Sequence, residues 1–588
     1  MYPYGKVRAY RSLYLQGGFR GYRPCKGFLR EEVRFIGNND RRGAGDDTLF
    51  CFMDMELQEI IDRTVAEYAP LVKASSEAYW EGTTTGSAAA FDRYAEVSKK
   101  IAGLFSDVRT FDVLRGIKES GSVTDPLLRR QLDELYNSFM SRQADKALLD
   151  AIIEKETALE RRYAAFRADF RGRRINDNEV ERLLRTSADC SELQDVWVAH
   201  KAVGREVASD ILEVVRLRNQ LADCLGFTNY HSMSLILSGE KPRDVELLMN
   251  EVDELSRDSF VQIKAEIDEA MALRCGISVS DLRPWHYQGR FFQEAPDLYP
   301  VDFDSYYKGR NLEQLTVDYY RSIGLDVEPM LRRSDLYPRE GKNQHAFCID
   351  MDCMGDVRVL CNLTDNERWM ETMLHEFGHA AYSAGHDANP ELPFLLREAA
   401  GIFTTEGVAM MFGRLSRNPE WMRLNLGIPA EEAERIAPDC RRSARLSQLV
   451  QSRFMQVVYR FEKAMYADPE QDLNALWRNL VEKYQLLTYP DGRDEPDWAA
   501  KIHIALYPCY YHNYQLGELF ASQMHHYIVE HITRSGDMAF DSYTGCAEVG
   551  RWLTEKVFAP GKLYPWNEMI TRAAGEPLTA AWWAAEVR

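Results

Sequence analysis

The chain has 588 residues, 72 basic and 91 acidic, giving a net charge of −19. With 45% hydrophobic and 28% charged residues it can bury a large core. The acidic balance sets it against nucleic acid and anionic membrane surfaces, and no window is long and apolar enough to span a bilayer, so neither is an expected partner.

Residues 1–52 are basic, rich in Gly, Arg and Tyr, without helical or strand period, and lack the apolar stretch of a secretory signal. They are expected to be a disordered tail or an extension upstream of the true reading frame, with a targeting peptide as the alternative. Amphipathic patterning begins near Met53 or Met55, and 53–588 is expected to be a single domain. Residues Lys146 to Phe170 space their apolar positions at three and four, as a helix does. Two or three more helices are expected over 178–237, Asp210 to Asn219 being the clearest. Strand content is confined mainly to 344–363, where two short β-favouring runs flank a turn at Met354-Gly355-Asp356. The expected fold class is therefore mainly α, with one small embedded β-hairpin. Eleven scattered cysteines without a CxxC pair suit a reducing, cytoplasmic compartment better than a disulfide scaffold.

Thr364-Asp365-Asn366-Glu367 reads as a capping box opening a helix. Within that helix lies His375-Glu376-Phe377-Gly378-His379. Two histidines four apart point the same way, so both imidazoles can reach one metal ion, expected to be a single Zn2+. Glu376 follows the first histidine but is rotated by about 100°, beside the ion, where it can take a proton from a water. A third ligand leaves one position open. Pro393 reads as the start of a return helix, and Glu398, nineteen residues past His379, is the preferred ligand. Glu406, about two turns further on, is the competing choice. Should Glu398 bind, Glu406 becomes a group that supports the ligands, as does Glu371, one turn before His375.

Far downstream, Lys501, His503, Tyr507, Tyr510, Tyr511 and Tyr514 gather phenols, imidazoles and an ammonium into fourteen residues. A phenol can donate to an oxyanion and a Lys can hold a carboxylate, although aromatic density alone more often means core packing.

His375 to His379, Arg397-Glu398-Ala-Ala-Gly, Gln344-His345-Ala346-Phe347 and Ala500-Lys501-Ile-His503 follow one another as in angiotensin-converting enzyme. The chain resembles that peptidyl-dipeptidase family, especially its bacterial members, and more distantly the thimet oligopeptidases. The likeness covers about residue 55 to the C-terminus. It implies an elongated helical metallopeptidase, with two halves around a deep channel and zinc at its floor. It also implies that 53–588 is one catalytic domain acting on short peptides. By resemblance, His375, His379 and Glu398 are the zinc ligands and Glu376 the general base. Tyr514 matches the oxyanion-stabilising tyrosine and His503 a histidine contacting the carbonyl beside the scissile bond. Lys501 and Tyr511 match groups that hold the C-terminal carboxylate, with Gln288 as a further contact. His345 and Ala346 match the edge strand that pairs with substrate backbone.

Four departures accompany the likeness. The loop from His379 to Glu398 is short, and Ile402 stands where an aspartate supports the zinc glutamate. Asn513 replaces a chloride-binding arginine, and Gln344 replaces the cysteine that would pair with Cys361. The expected activity is release of C-terminal dipeptides. The alternatives are an endo-acting oligopeptidase, whose spaced-tyrosine pattern Tyr507, Tyr511 and Tyr514 also fit, and a catalytically silent, metal-stabilised peptide binder.

Overall fold

The computed structural model describes residues 46–299 and 301–588, with side chains from Met53 onward, apart from Pro300. The expectation for the N-terminal tail therefore lies, over 1–45, outside the described residues. The first described helix, α1 (Asp46–Thr85), already runs through Met53 and Met55.

Helices α1, α2 (Ala88–Phe105), α3 (Val108–Ser120) and α4 (Pro126–Met140) close around an apolar cluster of their own, with Leu57, Ile61, Phe105, Leu114, Leu132 and Phe139 inside it. Their starts are set by side-chain caps: Asp107 accepts from Thr110 N at 2.9 Å and Asp125 from Leu128 N at 2.8 Å. The remaining helices share one larger core running from Leu148 to Val587.

Helix α5 (Lys146–Ala165) ends five residues short of the span read from the sequence. Ala168–Phe170 and Arg173–Ile175 instead form a first hairpin, β1 and β2, joined at Arg171 and Gly172. Both turn residues have positive φ, 51° and 78°, as a type I′ turn demands. An arginine at the first position is an uncommon choice, so the sequence carried little turn signal. Four helices, not two or three, fill the next stretch: α6 (Asp177–Thr186), α7 (Cys190–Lys201), α8 (Val203–Cys224) and α9 (Tyr230–Leu237). The long α10 (Pro242–Cys275) follows, and later α11 (Leu312–Ser322).

The expected hairpin is present: β3 (Phe347–Asp350) pairs antiparallel with β4 (Val357–Leu360), Phe347 opposite Leu360. The outer side of β4 is taken by Asp335, which donates its N–H to Val359 O and accepts from Cys361 N, both at 2.9 Å. Among the described strands β3 pairs with β4 alone. These two hairpins are the strand content of the described residues, and the protein is mainly α. No described helix is long and apolar enough to cross a membrane.

Three helices form the frame of the site: α12 (Glu367–Gly385), α13 (Ile402–Gly413) and, after the long α14 (Ala430–Ala467), α15 (His512–Tyr527). Helix α13 is packed between α12 and α15. Glycines permit the close approach. A Cβ on Gly378 of α12 would stand 3.1 Å from Ala409 Cα, and one on Gly407 of α13 would stand 2.6 Å from Gly517 O of α15. The cap of α12 is Asn366, which accepts from Trp369 N at 3.0 Å, not Thr364. Thr364 instead accepts from the Asn366 amide, steadying the cap.

Candidate metal centre and the wall opposite

On α12, His375 and His379 face the same way, with ring centroids 4.8 Å apart. Facing them from α13 is Glu406, fully buried, whose Oε2 lies 3.8 Å from His375 Nε2 and 3.7 Å from His379 Nε2. These separations are too long for hydrogen bonds. They suit ligands that share one ion at about 2.0–2.2 Å each, which stand about 3.4 Å or slightly more apart. One donor atom from each residue falls within 4.8 Å of the others. Two imidazoles and a carboxylate are a donor set for zinc, with a fourth position left open. The orientation of His379 agrees: its Nδ1 is 2.8 Å from Thr405 Oγ1, so a proton on Nδ1 leaves the Nε2 lone pair facing Glu406. The residues present therefore fit a zinc ion.

Glu398 is not part of this group. Its carboxylate is 56% exposed and pairs with Lys562 Nζ at 2.6 Å. The physical reason lies in where α13 begins. The segment after Pro393 makes only a single 3₁₀ turn, Phe394–Leu396, and Gly401 stays extended at φ −153°. Glu398 thus sits in a loop held by the 560s, Lys562 N donating to Leu396 O at 2.9 Å. Helix α13 starts four residues later and carries Glu406 inward on its second turn. The third candidate ligand is accordingly Glu406, twenty-seven residues past His379, and the short-loop departure falls away with Glu398. Ile402 does not stand behind a ligand either; the polar support is Thr405, which sequence reasoning missed.

Glu376 is buried on the same helix. Glu371 is half-buried near Glu367, and desolvation with that neighbouring charge raises its pKa to about 7. A second group of possible ligands, Cys190, Cys275 and His286, is less suited to an ion. Both nitrogens of His286 are engaged, Nδ1 by Arg283 N at 2.8 Å and Nε2 by Trp285 Nε1 at 3.0 Å.

The downstream residues come together as a wall. Tyr511 is its centre: its ring lies 5.2 Å from that of Tyr514 and 5.3 Å from that of His503, and Lys501 Nζ is 5.1 Å from its centroid. Tyr514 is carried by α15, the helix packed on α13 through Gly407 and Gly517. Lys501 is buried; burial, with Arg290 adding repulsion, lowers its pKa to about 7. Burial, Lys501 and Arg290 also hold His503 well below the ordinary imidazole range, so it is neutral at neutral pH and can donate an N–H.

Gln288 does not join them. Its backbone has φ 59°, its amide donates to Arg185 O at 3.2 Å, and its oxygen accepts from Asp297 N at 3.1 Å. The glutamine at Lys501 is Gln293, whose Oε1 accepts from Nζ at 2.6 Å. Gln293 lies five residues on, in an irregular stretch where no period guides a reading. His345 and Ala346 lead directly into β3, which among the described strands pairs with β4 alone. No disulfide joins any of the nine cysteines whose side chains are described, Cys361 included.

The profile of Peptidase family M3 matches residues 191–588, which contain every group of the site, and the chain belongs to that family. The profile described as angiotensin-converting enzyme matches residues 53–257. Both expected resemblances are thus found, on overlapping parts of the chain. Families of this kind are zinc-dependent peptidases acting on peptides, and the protein is a metallopeptidase. A comparison with curated proteins finds no match.

Proposed function

We propose that the protein is a zinc-dependent peptidase that hydrolyses short peptides and releases dipeptides from their C-terminal end. The observation that carries this reading is the buried Lys501, set with His503, Tyr511 and Tyr514 on the wall whose helix packs against the one bearing Glu406. An ammonium in that position can fix a free carboxylate and so make the enzyme measure from the C-terminus.

His375, His379 and Glu406 would hold the ion, which when bound supplies Lewis acidity to the scissile carbonyl and the attacking water. Glu376 takes the proton from that water as it adds to the carbonyl carbon, then hands it to the leaving amine as the C–N bond breaks. Tyr514 donates its O–H to the developing oxyanion. Neutral His503 donates to the adjacent substrate carbonyl. Lys501 and Tyr511 bind the terminal carboxylate, and the edge of β3 away from β4, with His345 and Ala346, pairs with the peptide backbone.

A second reading, endo-cleavage, has its own support: the Peptidase family M3 match spans all these residues, and Tyr507, Tyr511 and Tyr514 keep their spacing. Mapping cuts in a peptide library relative to both ends separates the two. Terminal dipeptides support the proposal; internal cuts at variable distance from the C-terminus overturn it in favour of the second reading. Glu376→Gln is expected to lower kcat by about 10²–10⁴-fold with metal content retained. Near-normal turnover would refute the mechanism.

A further inference from the structure

The segment that carries the wall has one residue in an uncommon backbone conformation. Among residues 501–514, Cys509 alone has a positive φ, 57°, the left-handed region that favours glycine and strains a residue bearing a Cβ. It stands between Tyr507, whose ring is 5.5 Å from that of His503, and Tyr510, whose ring is 5.4 Å from that of Tyr514. Tyr511, the centre of the wall, follows two residues later. A strained residue of this kind persists only where its surroundings hold it.

The group that holds it is Glu462 of α14. Its Oε1 accepts from Cys509 N at 2.8 Å, and both residues are buried, 2% and 5% exposed. A carboxyl group is costlier to bury than an apolar side chain of that size, so packing alone does not account for it. Burial pushes the Glu462 pKa up to about 8, against the Cys509 N–H and Arg218, so at neutral pH the group is largely uncharged and accepts as an amide would. The flanks of the turn are tied separately. Arg218 Nη2 donates to Ala505 O at 2.8 Å, and Asn513 Nδ2 donates to Tyr510 O at 3.1 Å. About two turns before Glu462 on α14, Phe454 packs edge-on against Tyr511, with ring centroids 5.6 Å apart. Of these contacts, only the bond from Glu462 reaches the strained residue itself.

We propose, resting on the reading of the chain as a peptidase, that Glu462 is a positioning residue for recognition of the substrate's terminal carboxylate. By holding Cys509 left-handed it sets where Tyr511 stands beside Lys501. Without that acceptor the Cys509 N–H is left unpaired in the interior, and the turn relaxes toward negative φ. Tyr511 then shifts, while Tyr514 stays on α15.

The experiment uses the zinc-loaded full chain carrying Glu462→Leu or Glu462→Gln, each also combined with Tyr511→Phe. Hydrogen exchange read by mass spectrometry reports on the turn without any substrate. Segment 505–514 is expected to exchange about tenfold faster in Glu462→Leu, and at the wild-type rate in Glu462→Gln, whose amide oxygen still accepts the N–H. Unchanged exchange in the Leu variant overturns the proposal. For a free-acid peptide, Glu462→Leu is expected to raise KM about tenfold with kcat within about twofold, and Glu462→Gln to restore both. In the Tyr511→Phe background the same Leu change should raise KM by less than about threefold, because its effect runs through Tyr511. An equal rise in both backgrounds assigns Glu462 to packing and overturns the positioning role. Glu462→Met, whose flexible side chain fills the same space, takes the place of a Leu variant that does not fold. Faster exchange in the Leu variant, with no peptide cut by the wild-type enzyme, leaves Glu462 as the anchor of the turn and overturns the peptidase reading instead.

Discussion

The Nδ1 atom of His379 stands 2.8 Å from Thr405 Oγ1, and Thr405 is the residue immediately before Glu406. One short stretch of α13 therefore offers both a carboxylate to the candidate ion and the group that orients one of its imidazoles. Thr405→Val keeps the shape and removes the acceptor. Zinc affinity is expected to fall by about 10–100-fold, measured by competition against a chelating indicator. Thr405→Ser should restore most of it. Unchanged affinity in the valine variant would leave Thr405 a mere packing residue.

The two glutamates that compete for the third ligand give opposite outcomes. Glu406→Gln is expected to abolish stoichiometric zinc binding and peptidase activity together. Glu398→Gln should retain the metal and cost no more than about 1 kcal/mol, because the Glu398 carboxylate is itself 56% exposed and Lys562 keeps Glu134 at 3.0 Å. Metal analysis of the two purified variants decides the point; zinc lost from the Glu398 variant alone would reverse the assignment.

Those glutamates also show where the sequence was readable and where it was not. His375 and His379 sit on one helix, so their geometry is local and follows from a spacing of four. The third ligand comes from another helix, and chain length alone allows both Glu398 and Glu406. The choice is made by the start of α13 at Ile402, which depends on the extended Gly401 and on Lys562 drawing Glu398 away, contacts invisible in a periodicity. The β3–β4 hairpin was legible because a Met-Gly-Asp turn separates two β-favouring runs. The β1–β2 hairpin was not, since Arg171 hides its turn. Gln288 and Gln293 differ by five irregular residues, and only the fold sets Gln293 against Lys501.

Glycine at 407 is a steric requirement of the frame. A Cβ there would meet Gly517 O at 2.6 Å and Phe520 Cδ1 at 2.7 Å. Gly407→Ala must push α13 off α15, and the overpacking is expected to cost about 1–3 kcal/mol. Because Glu406 is the adjacent residue, zinc affinity should fall with it. Gly103→Ala on α2 is the contrast: nothing lies within 4 Å of its Cβ, so the change should stabilise by about 0.5–1 kcal/mol. Chemical denaturation followed by circular dichroism, with zinc titration alongside, tests both.

Lys501 ties pH to function and to stability with opposite signs. Burial lowers its pKa from 10.5 in the ordinary side chain to about 7 in the folded protein. Below pH 7 it is charged in both the folded and unfolded chains, and the full cost of burying that charge is present. Between about pH 7 and 10.5 the unfolded chain binds the extra proton, so this residue's contribution to stability improves as pH rises. Carboxylate recognition runs the other way, because only the ammonium pairs with a free C-terminus. For a free-acid peptide kcat/KM is expected to fall as pH rises through about 7, approaching tenfold per pH unit, while the same peptide amidated shows no such limb. Lys501→Met should abolish the difference between the two peptides and flatten the profile. Parallel pH profiles for acid and amide in the wild-type enzyme would remove Lys501 from carboxylate recognition, and with it the reason for cutting at a fixed distance from the C-terminus.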